Sequence, residues 1–164
     1  MIRPIRVYPD EMLRKAAKEV RDVTDEVRRV CADMIETMCA VRGVGLAANQ
    51  IGLPLRIATI ETGSEKESVP VAVLNPEIVS LEGEDVGEEG CLSIPGFYET
   101  IKRAKKALVR GITLDGREFR IECSGLLARA FQHELDHLDG VLFVDHLSPV
   151  KKQLFKREYA KERK

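Results

Sequence analysis

Residues Gln132 to Gly140 read Gln-His-Glu-Leu-Asp-His-Leu-Asp-Gly and hold two of the chain's three histidines. His133 and His137 are four residues apart, one turn of an α-helix, so both imidazoles can reach one metal ion while Glu134 stands beside them as a base. At about 100° per residue, Leu126, Leu127, Ala130, Phe131, Glu134, Leu135, His137 and Leu138 fill one continuous arc. Arg129, Gln132, Asp136 and Asp139 fill the other, and His133 sits at the edge of the apolar arc. Ionisable groups therefore occupy the face that should be buried. Burying an unpartnered polar group costs roughly 2–7 kcal/mol, and an ion more, so a compensating partner such as a metal is expected. The segment predicts a central helix carrying half of a metal-hydrolase site.

A chain of 164 residues is expected to form one domain over 1–164 and to bury roughly 68–70% of its unfolded surface. The formal net charge of −1 gives no global field for nucleic acid or membrane, so no specific DNA partner is expected. One local patch stands out: Lys151, Lys152, Lys156, Arg157, Lys161, Arg163 and Lys164 crowd the C-terminal residues, against only Glu158 and Glu162. Cys31, Cys39, Cys91 and Cys123 are too scattered for a secreted disulfide framework. In a helix, Cys31 and Cys39 would be about 12 Å apart and could not pair. With no apolar leader and no stretch near ~18 apolar residues, the expectation is a cytoplasmic protein that does not enter a membrane.

The remaining segments suggest an α+β fold, with mainly antiparallel sheets around the H-E-x-x-H helix, N-terminal helices and a C-terminal helix. Asp10 can cap a helix from Glu11 to Val20, and Thr24 or Asp25 a longer one that Gly43 stops. Leu55 to Glu61, Val71 to Leu74 and Glu77 to Leu81 read as strands, the last two separated at Asn75-Pro76. The acidic run from Glu82 to Gly90 reads as a solvated loop. Ala107 to Leu114 and Arg117 to Cys123 form a hairpin around Asp115-Gly116. Ser124 is expected to cap the central helix and Gly140 to end it; Val141 to Val144 then reads as a short strand or extended segment. Ser148-Pro149 opens the last helix, basic from 149 to 164, with Val150, Leu154 and Phe155 turned inward.

Two histidines need a third ligand and an open position for water. Position 143 would be the third histidine of a metzincin, and it is Phe143. Glu158 or Glu162 lies at the downstream distance used by other H-E-x-x-H enzymes, though in a basic helix expected to be exposed. His146 would have to fold back sharply. Cys91, a soft thiolate donor beside Gly90 with no disulfide partner to explain it, is favoured on these grounds. The loop Gly43-Val-Gly-Leu-Ala-Ala-Asn-Gln-Ile-Gly52 allows close backbone approach but lacks the spacing of a phosphate-binding loop. Gln50 within it either ties the loop to backbone or donates to a ligand.

Gly43-Val-Gly-Leu-Ala-Ala-Asn-Gln50, Glu89-Gly-Cys-Leu-Ser93 and Gln132 to Gly140 together resemble the three signature motifs of the peptide deformylases, in that family's order and spacing. The resemblance runs over essentially the whole chain, including a bacterial-type C-terminal helix. It implies that Cys91, His133 and His137 bind the metal, that Glu134 is the general acid/base, and that Gln50 and the backbone N–H of Leu92 stabilise the oxyanion. The reaction implied is removal of the formyl group from the formyl-Met of nascent peptides. The ion implied is Fe2+, with Zn2+, Ni2+ or Co2+ forms also known in the family. Gly43, Val44, Gly45, Leu126 and Ala130, beside His133, correspond to an apolar pocket for the methionine side chain. Position 129, apolar in many bacterial members, is Arg129 here, and Tyr98 replaces an arginine found in some. The resemblance also gives the basic tail a purpose, docking near the ribosomal exit tunnel.

Overall fold

The computed structural model describes residues 1–64 and 66–162. Glu65 of the polar turn and Arg163 and Lys164 of the basic tail lie outside the described residues.

Thr24 caps the helix α1 (Asp25–Ala40): its side chain accepts from the N–H of Val27 at 3.2 Å. The strands β1 (Gly45–Ala47), β2 (Ile57–Glu61), β3 (Pro70–Glu82), β6 (Lys106–Ile112) and β7 (Glu118–Ser124) form one antiparallel sheet in the order β1-β2-β3-β6-β7. The strands β4 (Asp85–Cys91) and β5 (Ile94–Arg103) pair separately as a hairpin. Two further helices are α2 (Gly125–Leu138), which carries H-E-x-x-H, and α3 (Pro149–Glu162).

The sheet is covered on both faces, and the period-2 alternation of its strands divides the core. Leu46, Ile57 and Leu74 pack with Val30, Cys31, Met34 and Met38 of α1. Their neighbours Ile60 and Val73 point the other way, with Val109 and Cys123, onto Ala128, Phe131 and Leu135 of α2. Burial on both sides explains why β2 does not alternate: Ile57 to Ile60 are all buried, Thr59 included. The result is the expected α+β architecture, with α2 pressed against the sheet.

Several local expectations are corrected. The first helix is only a 3-10 turn, Glu11–Arg14. Beyond it the backbone bonds other elements, Ala17 N–H to Leu138 O at 2.7 Å and Lys18 N–H to Pro54 O at 2.8 Å, which a continuing helix could not do. Val71 to Leu74 and Glu77 to Leu81 belong to one strand, β3, with register shifts after Leu74 and Ile78. Asn75 sits in the first shift at φ 50°, its side-chain amide bonding both the N–H and the carbonyl of Val20 at 2.8 Å.

The acidic run is not wholly loop, because Asp85 to Gly90 belong to β4. Asp85, Gly87 and Glu89 are more buried and alternate with exposed Val86 and Glu88, and the alternation ends at the register shift, where Gly90 and Cys91 are both half-buried. The strand thus turns a polar set inward, which hydrophobic patterning cannot register. Val141 to Val144 form no strand: Phe143–His146 is a 3-10 turn whose Phe143 and Val144 pack with Leu13, Ile94, Phe155 and Tyr159. In α3, Phe155 is buried as expected, but Val150 and Leu154 are exposed, and Tyr159 takes the second inward position.

Candidate metal centre

Cys91 ends β4, and His133 and His137 lie on consecutive turns of α2; one potential ligand atom from each falls within 4.8 Å of the others. Cys91 Sγ is 3.2 Å from His137 Nε2, and His137 Nε2 is 3.2 Å from His133 Nε2. Ligands bound at ~2.0–2.3 Å to one tetrahedral ion stand roughly 3.3–3.6 Å apart, so the three atoms are already close to the spacing a shared ion requires. A thiolate and two imidazoles suit a borderline-soft divalent metal. Position 143 is buried phenylalanine, His146 bonds Asp136 Oδ2 at 2.9 Å, and Glu158 is exposed on α3. The side chain of Glu162 lies outside the described residues.

The orientation of His133 is fixed from behind. Its Nδ1 lies 2.9 Å from Glu89 Oε1, which leaves Nε2 facing the other two ligands. Glu89 is itself held from three directions: Arg103 Nη2 donates to Oε1 at 2.9 Å, Arg103 Nε to Oε2 at 2.8 Å, and Arg129 Nη1 to Oε2 at 2.6 Å. Burial opposes charge on Glu89, but the bonds from His133 and Arg103 outweigh it and hold the carboxyl far below its usual range. Arg103 Nη1 continues to Asp136 Oδ2 at 2.6 Å. Glu89 and Arg103 were not singled out from the sequence. Glu89 had a signal, since a carboxylate two residues before a ligating cysteine can reach a ligating histidine; Arg103 had none.

Glu134 is 3% exposed, and its Oε1, like Nδ1 of His137, has no hydrogen-bond partner among the described residues. Burial lifts its carboxyl to about 7, against the pull of His133. Burial also holds His137 well below the usual imidazole value, and the neighbouring His133 adds to this. A buried, unpaired carboxylate facing open volume is a proton acceptor in search of a donor.

That volume is a cavity of about 460 Å³. All five expected pocket residues, Gly43, Val44, Gly45, Leu126 and Ala130, line it, as do Gln50, Cys91, Leu92, His133 and Glu134. Leu126 is 70% exposed, so the opposition of arcs read from the helical wheel is inverted in part. Arg129 and Gln132, expected outward, are buried. The reason is that α2 meets β5 and its following turn on that side: Gln132 accepts from the N–H of Ala104 and donates to its carbonyl, each at 3.0 Å. Gln50 ties the loop to backbone, the first of the two readings open to it. Its Oε1 accepts from Ala47 N–H at 2.9 Å, and its Nε2 donates to Ser93 Oγ at 3.0 Å and lies 3.7 Å from Cys91 Sγ, beside the ligand set.

The sequence profile of the family described as polypeptide deformylase matches residues 2–153. The peptide deformylase of Thermodesulfovibrio yellowstonii is 44% identical over 156 residues, 94% of each chain. The crystal structure of a peptide deformylase from Legionella pneumophila superposes with a TM-score of 0.91 at 47% identity, over 99% of this chain and 96% of that one. A Met-Ala-Ser-bound class I type b peptide deformylase from Acinetobacter baumannii superposes with a TM-score of 0.84 at 29% identity, over 90% and 99%. With a profile match over most of its length and relatives near this level of identity, the chain belongs to the polypeptide deformylase family.

Proposed function

We propose that this chain removes the formyl group from the N-terminal formylmethionine of new polypeptides, with Cys91, His133 and His137 as metal ligands and Glu134 as general acid/base. One observation carries the reading: a buried, unpaired Glu134 beside a Cys/His/His set, at the foot of a cavity large enough for a short peptide. An ion held by Cys91, His133 and His137 would supply Lewis acidity and would lower the pKa of a water towards neutrality. Glu134 takes a proton from a water molecule as the water oxygen bonds to the formyl carbon. As the C–N bond breaks, Glu134 returns the proton to the leaving amine, and formate and a free α-amine result. Gln50 Nε2 and Leu92 N–H donate to the oxygen on which negative charge develops; losing one such donor typically costs about 2.7–4 kcal/mol. Gly43, Val44, Gly45, Leu126 and Ala130 receive the methionine side chain.

Fe2+ is the proposed native ion, with Zn2+, Ni2+ and Co2+ as functional substitutes for the same donor set. The working unit is proposed to be residues 1–164 acting together in the cytoplasm, with α3 docking near the ribosomal exit tunnel. No described helix is long and apolar enough to cross a membrane.

The test is turnover of formyl-Met-Ala-Ser by anaerobically purified protein with its metal content measured. Glu134→Gln should retain about one metal per chain and lose roughly 10²–10⁴-fold in kcat. A fully metal-loaded native protein without turnover would overturn the reading.

A further inference from the structure

Arg129 lines the cavity that holds the metal centre, yet its guanidinium is committed to the hairpin behind it. Nη1 donates to Glu89 Oε2 at 2.6 Å and to Ile101 O at 3.0 Å, and Nη2 donates to Asp85 O at 2.9 Å. These acceptors bracket Gly87, which pairs with Ile101 across β4 and β5. A Cβ built on Gly87 would stand 3.3, 3.4 and 3.5 Å from Nη2, Cζ and Nε of Arg129. Three nearly equal distances mean that the guanidinium lies face-down on the glycine, in the space a side chain would otherwise fill. Gly87 itself does not reach the cavity lining; Arg129 stands between the two.

We propose that Arg129 is the specificity-determining wall of the cavity: seated flat on Gly87, its side chain sets how large a first residue the site accepts. This rests on the deformylase reading of the site. A long side chain is normally a poor wall because its rotamers are free, but three hydrogen bonds and 7% exposure fix this one. Glycine at position 87 is the other half of the device, since a Cβ there would already touch the guanidinium and a side chain branching beyond it would compete for the same volume. Truncating Arg129 therefore opens the cavity towards Gly87. It leaves the ligand set intact, because Arg103 still donates to both oxygens of Glu89.

The experiment compares kcat/KM for formyl-Met-Ala-Ser and formyl-Phe-Ala-Ser, with metal content measured in each protein. Arg129→Ala should keep its metal and lower the Met-to-Phe preference at least about 10-fold, as expected when a pocket changes by a few methylenes. Adding Gly87→Val to Arg129→Ala refills the space and should recover about 3-fold or more of that preference. Gly87→Val in the unsubstituted background keeps Arg129 but extends a branched side chain beyond the Cβ contact and presses it towards the cavity, so formyl-Ala-Ala-Ser should gain relative to formyl-Met-Ala-Ser. A folded, metal-loaded Arg129→Ala protein whose two activities fall together makes Arg129 a strut and overturns the proposal. If that protein does not fold, an unchanged Ala-to-Met ratio in Gly87→Val overturns it instead. Failure of the unsubstituted enzyme on formyl-Met-Ala-Ser is a different result, and it defeats the functional reading.

Discussion

A Cβ on Gly45 would meet Glu134 Oε2 at 2.5 Å and its Cγ at 2.8 Å. The small residue before Leu46 is thus explained by the carboxylate that packs over it, not by loop flexibility. Gly45→Ala should push Glu134 aside while leaving Cys91, His133 and His137 untouched. A displacement on the order of 1 Å at a reacting group can cost 10²-fold, so kcat on formyl-Met-Ala-Ser should drop by about that factor with metal content unchanged. An undiminished kcat would mean that Glu134 tolerates relocation, which does not suit a proton-transferring group. At this scale the sequence is most legible where spacing alone carries chemistry, as at His133, Glu134 and His137. It is least legible where a residue matters through its partner: nothing local marks Arg103 as the residue that grips Glu89, because its register opposite Asp85 at the far end of the hairpin exists only after folding.

Elements with strong periodicity or firm caps, α1 and the β6–β7 hairpin, could be read directly, and α2 in its extent though not in all the faces it buries, whereas the segments around them take their shape from tertiary contacts. The turn Glu11–Arg14 and the turn Phe143–His146 are an example, since they are joined by Arg14, whose Nη1 and Nη2 donate to Asp145 at 2.6 and 3.0 Å. Asp145 also accepts from Leu142 N–H at 2.9 Å. Partial burial works against its charge, but Arg14 and Leu142 prevail and hold the carboxyl below its ordinary value. A carboxyl depressed in the fold contributes stability above its unfolded pKa of about 3.9, and that contribution disappears as pH falls through the lower folded value. Asp145→Asn should therefore cost stability at pH 7, on the order of 0.2–1 kcal/mol for so exposed a pair, and the gap should close on acidification. Urea midpoints of the two proteins from pH 7 to pH 3 measure this, and subtraction removes effects of acid common to both, metal release included. A gap that stays constant to pH 3 would rule out the pair as its source.

On the scale of the whole molecule, α3 looks from its charge like an appendage, and its sequence gives little sign of what holds it. Its two buried aromatics supply the attachment. Phe155 packs with its ring tilted 4.6 Å from Phe97 and 5.4 Å from Tyr8, centroid to centroid, while Tyr159 lies 5.4 Å from Tyr8, all within the cluster that includes Leu13 and Phe143. Removing α3 would take both rings out of that cluster, and truncating one buried aromatic alone typically costs about 3–5 kcal/mol. Deletion after Pro149 therefore confuses docking with folding. The face that could meet the ribosome is separable, because Lys156, Arg157 and Lys161 are exposed: Arg157 and Lys161 lie on the side of α3 away from Phe155 and Tyr159, and Lys156 flanks it. Changing these three to glutamate should leave thermal stability and formyl-Met-Ala-Ser turnover nearly as they are while weakening ribosome binding at low salt. If each cation meets a phosphate, the slope of log affinity against log salt should become shallower by about 2–3, since each contact contributes roughly 0.7–0.9. Equal affinity and slope in the triple variant would end the docking proposal and leave α3 as a packing element whose charge serves solubility.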